Sequence, residues 1–138
     1  MKIRIATIAA LVASLTFANA AEKLKAPNHG RLIEAVNPHA EFLITPDKKI
    51  EIRFLDDLGK VIAPAGQVVT VTMGDRLNPT KLSFTQDGDK LLSNQTIPTG
   101  DDLPVVLQIR AKDAAKPVTH KFNLNLAKCP TCSNAEYA

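Results

Sequence analysis

The chain has 138 residues, with 17 Lys and Arg against 14 Asp and Glu, three His, one Tyr and no Trp, for a formal charge of +3. Its basic residues stand singly among acids and almost no aromatic surface is present to stack on bases, so nucleic acid is not an expected partner. The length suits one ordinary domain and requires no second.

Lys2 and Arg4 precede an almost unbroken apolar run from Ile5 to Ala18, which ends in the small-x-small triplet Ala18-Asn19-Ala20. A basic start, an apolar core too short to span a bilayer and a small-residue site predict a secretory signal peptide over residues 1–20. The alternative, an N-terminal membrane anchor, fits less well, because the run is short and Pro27 and Gly30 follow soon after it. Of the 17 basic residues, loss of Lys2 and Arg4 leaves 15 against 14 acids, a charge of +1. The expected location is periplasmic or secreted, with no stable membrane insertion once the leader is removed.

Residues 21–30 read as an exposed N-terminal segment, and residues 31–127 as one β domain. From Arg31 to Leu126 apolar residues recur at period two, with many β-branched side chains and turn residues at short intervals, and no window sustains a helical stripe. After a first strand at Arg31 to Val36, Ala40, Phe42 and Ile44 alternate with His39, Glu41 and Leu43. Beyond Pro46-Asp47-Lys48, Ile50, Ile52 and Phe54 alternate with Glu51 and Arg53, which predicts a hairpin. Asp56-Asp57-Leu58-Gly59-Lys60 has the composition of a tight turn. Strands follow at Val68 to Met73, Lys81 to Thr85, Lys90 to Ser93, Val105 to Arg110 and Val118 to Leu126, with Gln86-Asp87-Gly88-Asp89 as a turn. Pro38, Pro46, Pro64, Pro79, Pro98, Pro104 and Pro117 fall between these runs, where a missing N–H breaks no ladder bond. Seven or eight short antiparallel strands at this spacing predict an immunoglobulin-like or fibronectin-like sandwich, with a small antiparallel barrel as the alternative.

The chain carries no Gly-x-Ser-x-Gly elbow, no His-Glu-x-x-His, no phosphate-cradling Gly loop and no dinucleotide fingerprint, so no enzymatic activity is expected. The residues able to ligate a soft or borderline metal are His29, His39, His120, Cys129, Cys132 and Met73. His29 lies in the turn Pro27-Asn28-His29-Gly30, where it is either a Cu or Zn ligand or a solvated turn histidine. His39 faces outward beside Glu41, and Glu41 or Glu34 could complete a mixed nitrogen and oxygen site; the alternative is a surface histidine. An extended chain would separate His29 and His39 by roughly 20 Å or more, and only a bend at Asn37-Pro38 would let them share an ion. His120 has the inward parity of Phe122, as a core or rim histidine would.

Residues 128–138 form a C-terminal tail carrying Cys129-Pro130-Thr131-Cys132. The spacing suits two thiolates on one metal ion or a small disulfide ring. Too little chain follows Cys132 for the fold around a thioredoxin-type site.

The run Pro27-Asn28-His29-Gly30-Arg31-Leu32-Ile33-Glu34, then His39-Ala40-Glu41-Phe42-Leu43, then Ile50 to Val61 ending in Asp56-Asp57-Leu58-Gly59-Lys60-Val61, resembles a recognisable group of proteins. It is similar to small periplasmic proteins and adaptor N-terminal regions associated with heavy-metal cation efflux, over about a third of the chain. In those, a His-Gly-Gly turn leads a strand, and this sequence has Arg31 in place of the second glycine. The resemblance implies an immunoglobulin-like sandwich in the periplasm linked to copper, zinc or related cations. It also implies an envelope efflux component as partner, with His29, His39 and Glu41 at the motif positions. The expected function is therefore a metal-binding or metal-handling accessory, with a non-catalytic envelope interaction module as the alternative.

Overall fold

A computed structural model describes residues 23–138; the expected leader and cleavage site over residues 1–20 lie outside the described residues. The described residues form nine strands: β1 (Arg31–Ile33), β2 (His39–Ile44), β3 (Ile50–Leu55), β4 (Val61–Ile62), β5 (Val68–Met73), β6 (Thr80–Asp87), β7 (Lys90–Ser93), β8 (Asp102–Arg110) and β9 (Val118–Asn125). The described residues contain no helix. Every pairing is antiparallel, in the order β1-β2-β3-β7-β6-β5-β8-β9, with β4 added to β3.

The sheet folds over on itself at β6. Its first half, Thr80 to Ser83, pairs with β5, and its second half, Phe84 to Asp87, pairs with β7. Two layers result, and they approach a barrel because the ends of the path, β1 and β9, face each other. The all-β antiparallel sandwich is thus as expected, with β4 as an element too short to leave a period-two signal.

The inward rows follow the alternation read from the sequence. Ala40, Phe42, Ile50, Ile52 and Phe54 come from one layer, and Val69, Val71, Met73, Leu82, Val105, Leu107, Ile109, Phe122 and Leu124 from the other. A fully buried Ile, Leu or Phe contributes about 1.5–3 kcal/mol over leaving it in water, so these rows dominate the fold's stability. Phe42 and Phe122 meet edge to face across the layers, with ring centres 5.1 Å apart.

Three local readings change. The first strand ends at Ile33 rather than Val36, because the chain reverses through a turn that contains the cis Asn37-Pro38 bond. Gln86 and Asp87 belong to β6, so the turn narrows to Gly88-Asp89, with Gly88 at φ +62°. Pro104 lies inside β8. Its carbonyl accepts the Gly74 N–H at 3.1 Å, so its absent N–H faces the same side, where β5 has already ended, and no ladder bond is lost.

Candidate functional site

The N-terminal segment crosses the outer face of β2. His29 N donates to Ala26 O at 3.3 Å and His29 has φ +60°, in the left-handed region that histidine enters more readily than most side chains. The turn is held by Glu41. Its Oε1 accepts the backbone N–H of Asn28 and of Gly30, and its Oε2 accepts Asn28 Nδ2, each at 2.9 Å. Glu41 has no exposed surface although its strand parity points outward, because the turn itself covers it. A buried carboxylate is costly unless its oxygens are used, and three N–H donors use them. Gly30 is required there: a Cβ would run into the Phe42 carbonyl and come within 2.8 Å of Leu43 Cγ.

The five residues read as metal ligands do not converge. The β1–β2 register runs from the Arg31–Phe42 pair to the Ile33–Ala40 pair, with His29 in the turn before its first pair and His39 just beyond its last. The chain does bend at Asn37-Pro38, but the bend brings His39 to Glu34 and leaves His29 at the other end. His39 Nδ1 is 3.2 Å from the Glu34 carbonyl oxygen and its Nε2 is 3.6 Å from Asp57 Oδ1. A neutral ring that donates from Nδ1 to that carbonyl keeps the Nε2 lone pair on the side of Asp57, away from the His29 turn. Glu41 would have to give up its clamp to bind an ion. Cys129 and Cys132 are joined in a disulfide, with Cα atoms 5.4 Å apart, the second of the two states their spacing allows. Among the described residues no three His, Cys, Asp or Glu side chains gather as a metal cluster requires. His29 fits as a single exposed imidazole donor; the other four do not complete a shell around it.

His29 does share a groove with the residues after β9, where Lys128 and Ala135 bridge to make a short C-terminal hairpin. The groove has a volume of about 670 Å³ and is lined by Lys23 to Ala26, His29 to Leu32, Glu34 and Asn134. On the inner side of this hairpin lies the seam between β1 and β9. Arg31 Nε donates to His120 Nε2 at 3.3 Å, its Nη1 donates to Tyr137 O at 3.0 Å, and its guanidinium lies 4.6 Å from the centre of the Phe122 ring. Burial, and then the Arg31 charge, push the His120 pKa below its ordinary value. His120 is the rim histidine its parity predicts. Arg31 thus commits its side chain to the seam.

Sequence reasoning passed over Tyr137. It is buried, its ring meets Phe42 edge to face at 5.9 Å, and its hydroxyl accepts the Ile44 N–H at 3.0 Å. The one available signal is that the chain's single Tyr stands in an otherwise polar tail, since an isolated aromatic among small polar residues marks an anchor. Glu41 was read as a ligand because alternation alone cannot show that a loop returns to cover an outward position.

Comparison with protein-family models, with curated proteins and with solved structures finds no match to this chain.

Proposed function

We propose that this chain is an exported, non-catalytic accessory of heavy-metal cation efflux that offers His29 to Cu or Zn from a turn held by Glu41. The observation that carries this reading is the clamp. A fully buried carboxylate is committed to three N–H groups of a short turn whose outward, metal-competent side chain is His29. Holding an imidazole in place before an ion arrives lowers the ordering cost of binding. One imidazole supplies one ligand, so an ion at His29 is completed by groups of an envelope efflux component, which suits transfer better than storage. The resemblance over residues 27–61 and the leader pattern support the same setting.

Titration of the mature protein with Zn(II) or Cu(I) tests it. Weak binding that His29→Ala abolishes, and that the double change Cys129→Ser with Cys132→Ser leaves intact, is the expected outcome. An isotherm untouched by His29→Ala overturns the assignment.

A second reading, a metal-independent interaction module, is favoured by the turn tips. Leu58 and Leu77 are 92% and 94% exposed, and strand directions place them at opposite ends of the sandwich. A partner captured from envelope extract that survives a chelator supports this second reading, and loss of the partner on chelation supports the first.

A further inference from the structure

The residues after β9 do not trail away. Glu136 N donates to Ala127 O and Cys129 N to Asn134 O, both at 2.9 Å, and Lys128 and Ala135 form an isolated bridge between them. This is a two-stranded hairpin with a minimal ladder, an element that is marginal in water without help. Help comes from two places. The Cys129–Cys132 disulfide closes its loop, and Tyr137 anchors its end. Tyr137 makes three contacts with two strands: its ring meets Phe42 of β2, its hydroxyl accepts the Ile44 N–H of the same strand, and its carbonyl accepts from Arg31 of β1. β1 pairs β2 only from Ala40 to Phe42, so the Ile44 N–H would be an open edge donor without that hydroxyl.

The disulfide is at the surface. Cys132 is exposed and Cys129 half-exposed, whereas Tyr137 is only 6% exposed. A reductant can therefore reach the sulfurs while the anchor they steady stays covered. We propose that Cys129–Cys132 is the redox-modification site of a latch, whose reduction by a dithiol donor frees the hairpin, withdraws Tyr137 from the seam and opens the β2 edge at Ile44. A donor thiolate attacks Sγ of Cys132, forming a mixed disulfide and releasing the Cys129 thiolate, which takes up a proton. The donor's second thiolate then displaces Cys132, and the donor leaves as its own disulfide. One disulfide is reduced and one dithiol oxidised, with no other reactant. The freed edge carries the unpaired Ile44 N–H and uncovers the side of the Phe42 ring on which Tyr137 had packed, a pattern that accepts an added strand. This inference does not depend on metal binding at His29.

The chain has one Tyr and no Trp, so its ultraviolet emission reports Tyr137 alone. Acrylamide quenching of that emission is compared in oxidised protein, in protein reduced with dithiothreitol, and in the double variant Cys129→Ser with Cys132→Ser, with intact mass confirming each redox state. The latch predicts a several-fold steeper quenching slope after reduction and the same steep slope in the variant without reductant. Amide exchange then separates a latch from general unfolding. Ile44 should exchange faster in the reduced protein, while Val71, buried on a strand paired on both sides, keeps its protection. An unchanged quenching slope in protein shown by mass to be reduced overturns the latch. Equal acceleration at Ile44 and Val71 overturns it as well.

Discussion

Arg31 Nε and His120 Nε2, 3.3 Å apart, join the two ends of the sheet path through side chains, where no strand pairing links β1 to β9. The bond needs an acceptor lone pair on Nε2, so it exists only while the imidazole is neutral. This makes the seam a place where pH acts on the fold.

His120 has its pKa lowered by burial first and by Arg31 second. The unfolded chain therefore binds a proton that the folded chain refuses. The stability from this neutral ring is complete above the unfolded value of about 6.5 and is lost as the pH falls through the folded value. Urea midpoints should drop between about pH 7.5 and about pH 5.5, and His120→Gln should flatten that drop. A variant profile parallel to the parent's would show that the seam does not titrate in this range.

Glu41 holds the 28–30 turn through three N–H donors. Glu41→Ala strands those donors and should cost about 2–3 kcal/mol in denaturant unfolding, whereas Glu41→Gln, which keeps one acceptor oxygen, should cost about 1 kcal/mol. Equal costs for the two changes would mean that the position matters for volume and not for its acceptors.

Gly30 and Gly88 separate close approach from backbone conformation. Gly30→Ala drives a methyl into the Phe42 carbonyl and the Leu43 side chain, and should destabilise by about 1–3 kcal/mol. Gly88 has open space around it but a φ of +62°, so Gly88→Ala should cost about 1 kcal/mol from backbone strain alone. Thermal unfolding of the two variants gives the comparison, and a Gly88 variant as damaged as the Gly30 one would contradict it.

Tyr137 is the anchor of the C-terminal hairpin. Tyr137→Phe removes only the acceptor of the Ile44 N–H and should cost about 1 kcal/mol, while Tyr137→Ala also empties the space beside Phe42 and should cost about 3 kcal/mol or more. Burial chiefly raises the Tyr137 pKa. The folded chain then keeps its phenol proton above the ordinary value of 10.0, and stability from this group is lost as the pH rises past that value. Absorbance titration of the tyrosinate in folded and urea-unfolded protein should show the folded midpoint higher.

Much of the sandwich is written in alternation. The His39–Ile44 and Ile50–Leu55 strands pair as their patterns require, and Phe42, Ile52, Phe54, Leu107 and Phe122 all point inward. Period two specifies which face a strand buries, but it is silent on what covers the other face. That is why Glu41, outward by parity and among the most deeply buried residues, reads from sequence as a ligand and acts as a clamp. The hairpin after β9 is hidden for a related reason. Its contacts to Phe42, Ile44 and Arg31 span nearly a hundred residues, and the residues around Tyr137 have no apolar period to announce them. The candidate site was legible as residue types, His29 above all, and not as an arrangement. The register that separates His29 from His39 depends on where the first strand stops, and strand ends are the least visible part of any pattern.

The central claim is that His29, alone among the three histidines, is the metal-facing group. Its most direct test is the ring-nitrogen spectrum of the protein, labelled at histidine, as Zn(II) is added. The account predicts that the His29 ring shifts first and at the lowest metal concentration, that His39 follows only in excess, and that His120, bonded to Arg31, stays in place. A first response at His39 or His120, or no response from His29 at any concentration that perturbs the others, would contradict it.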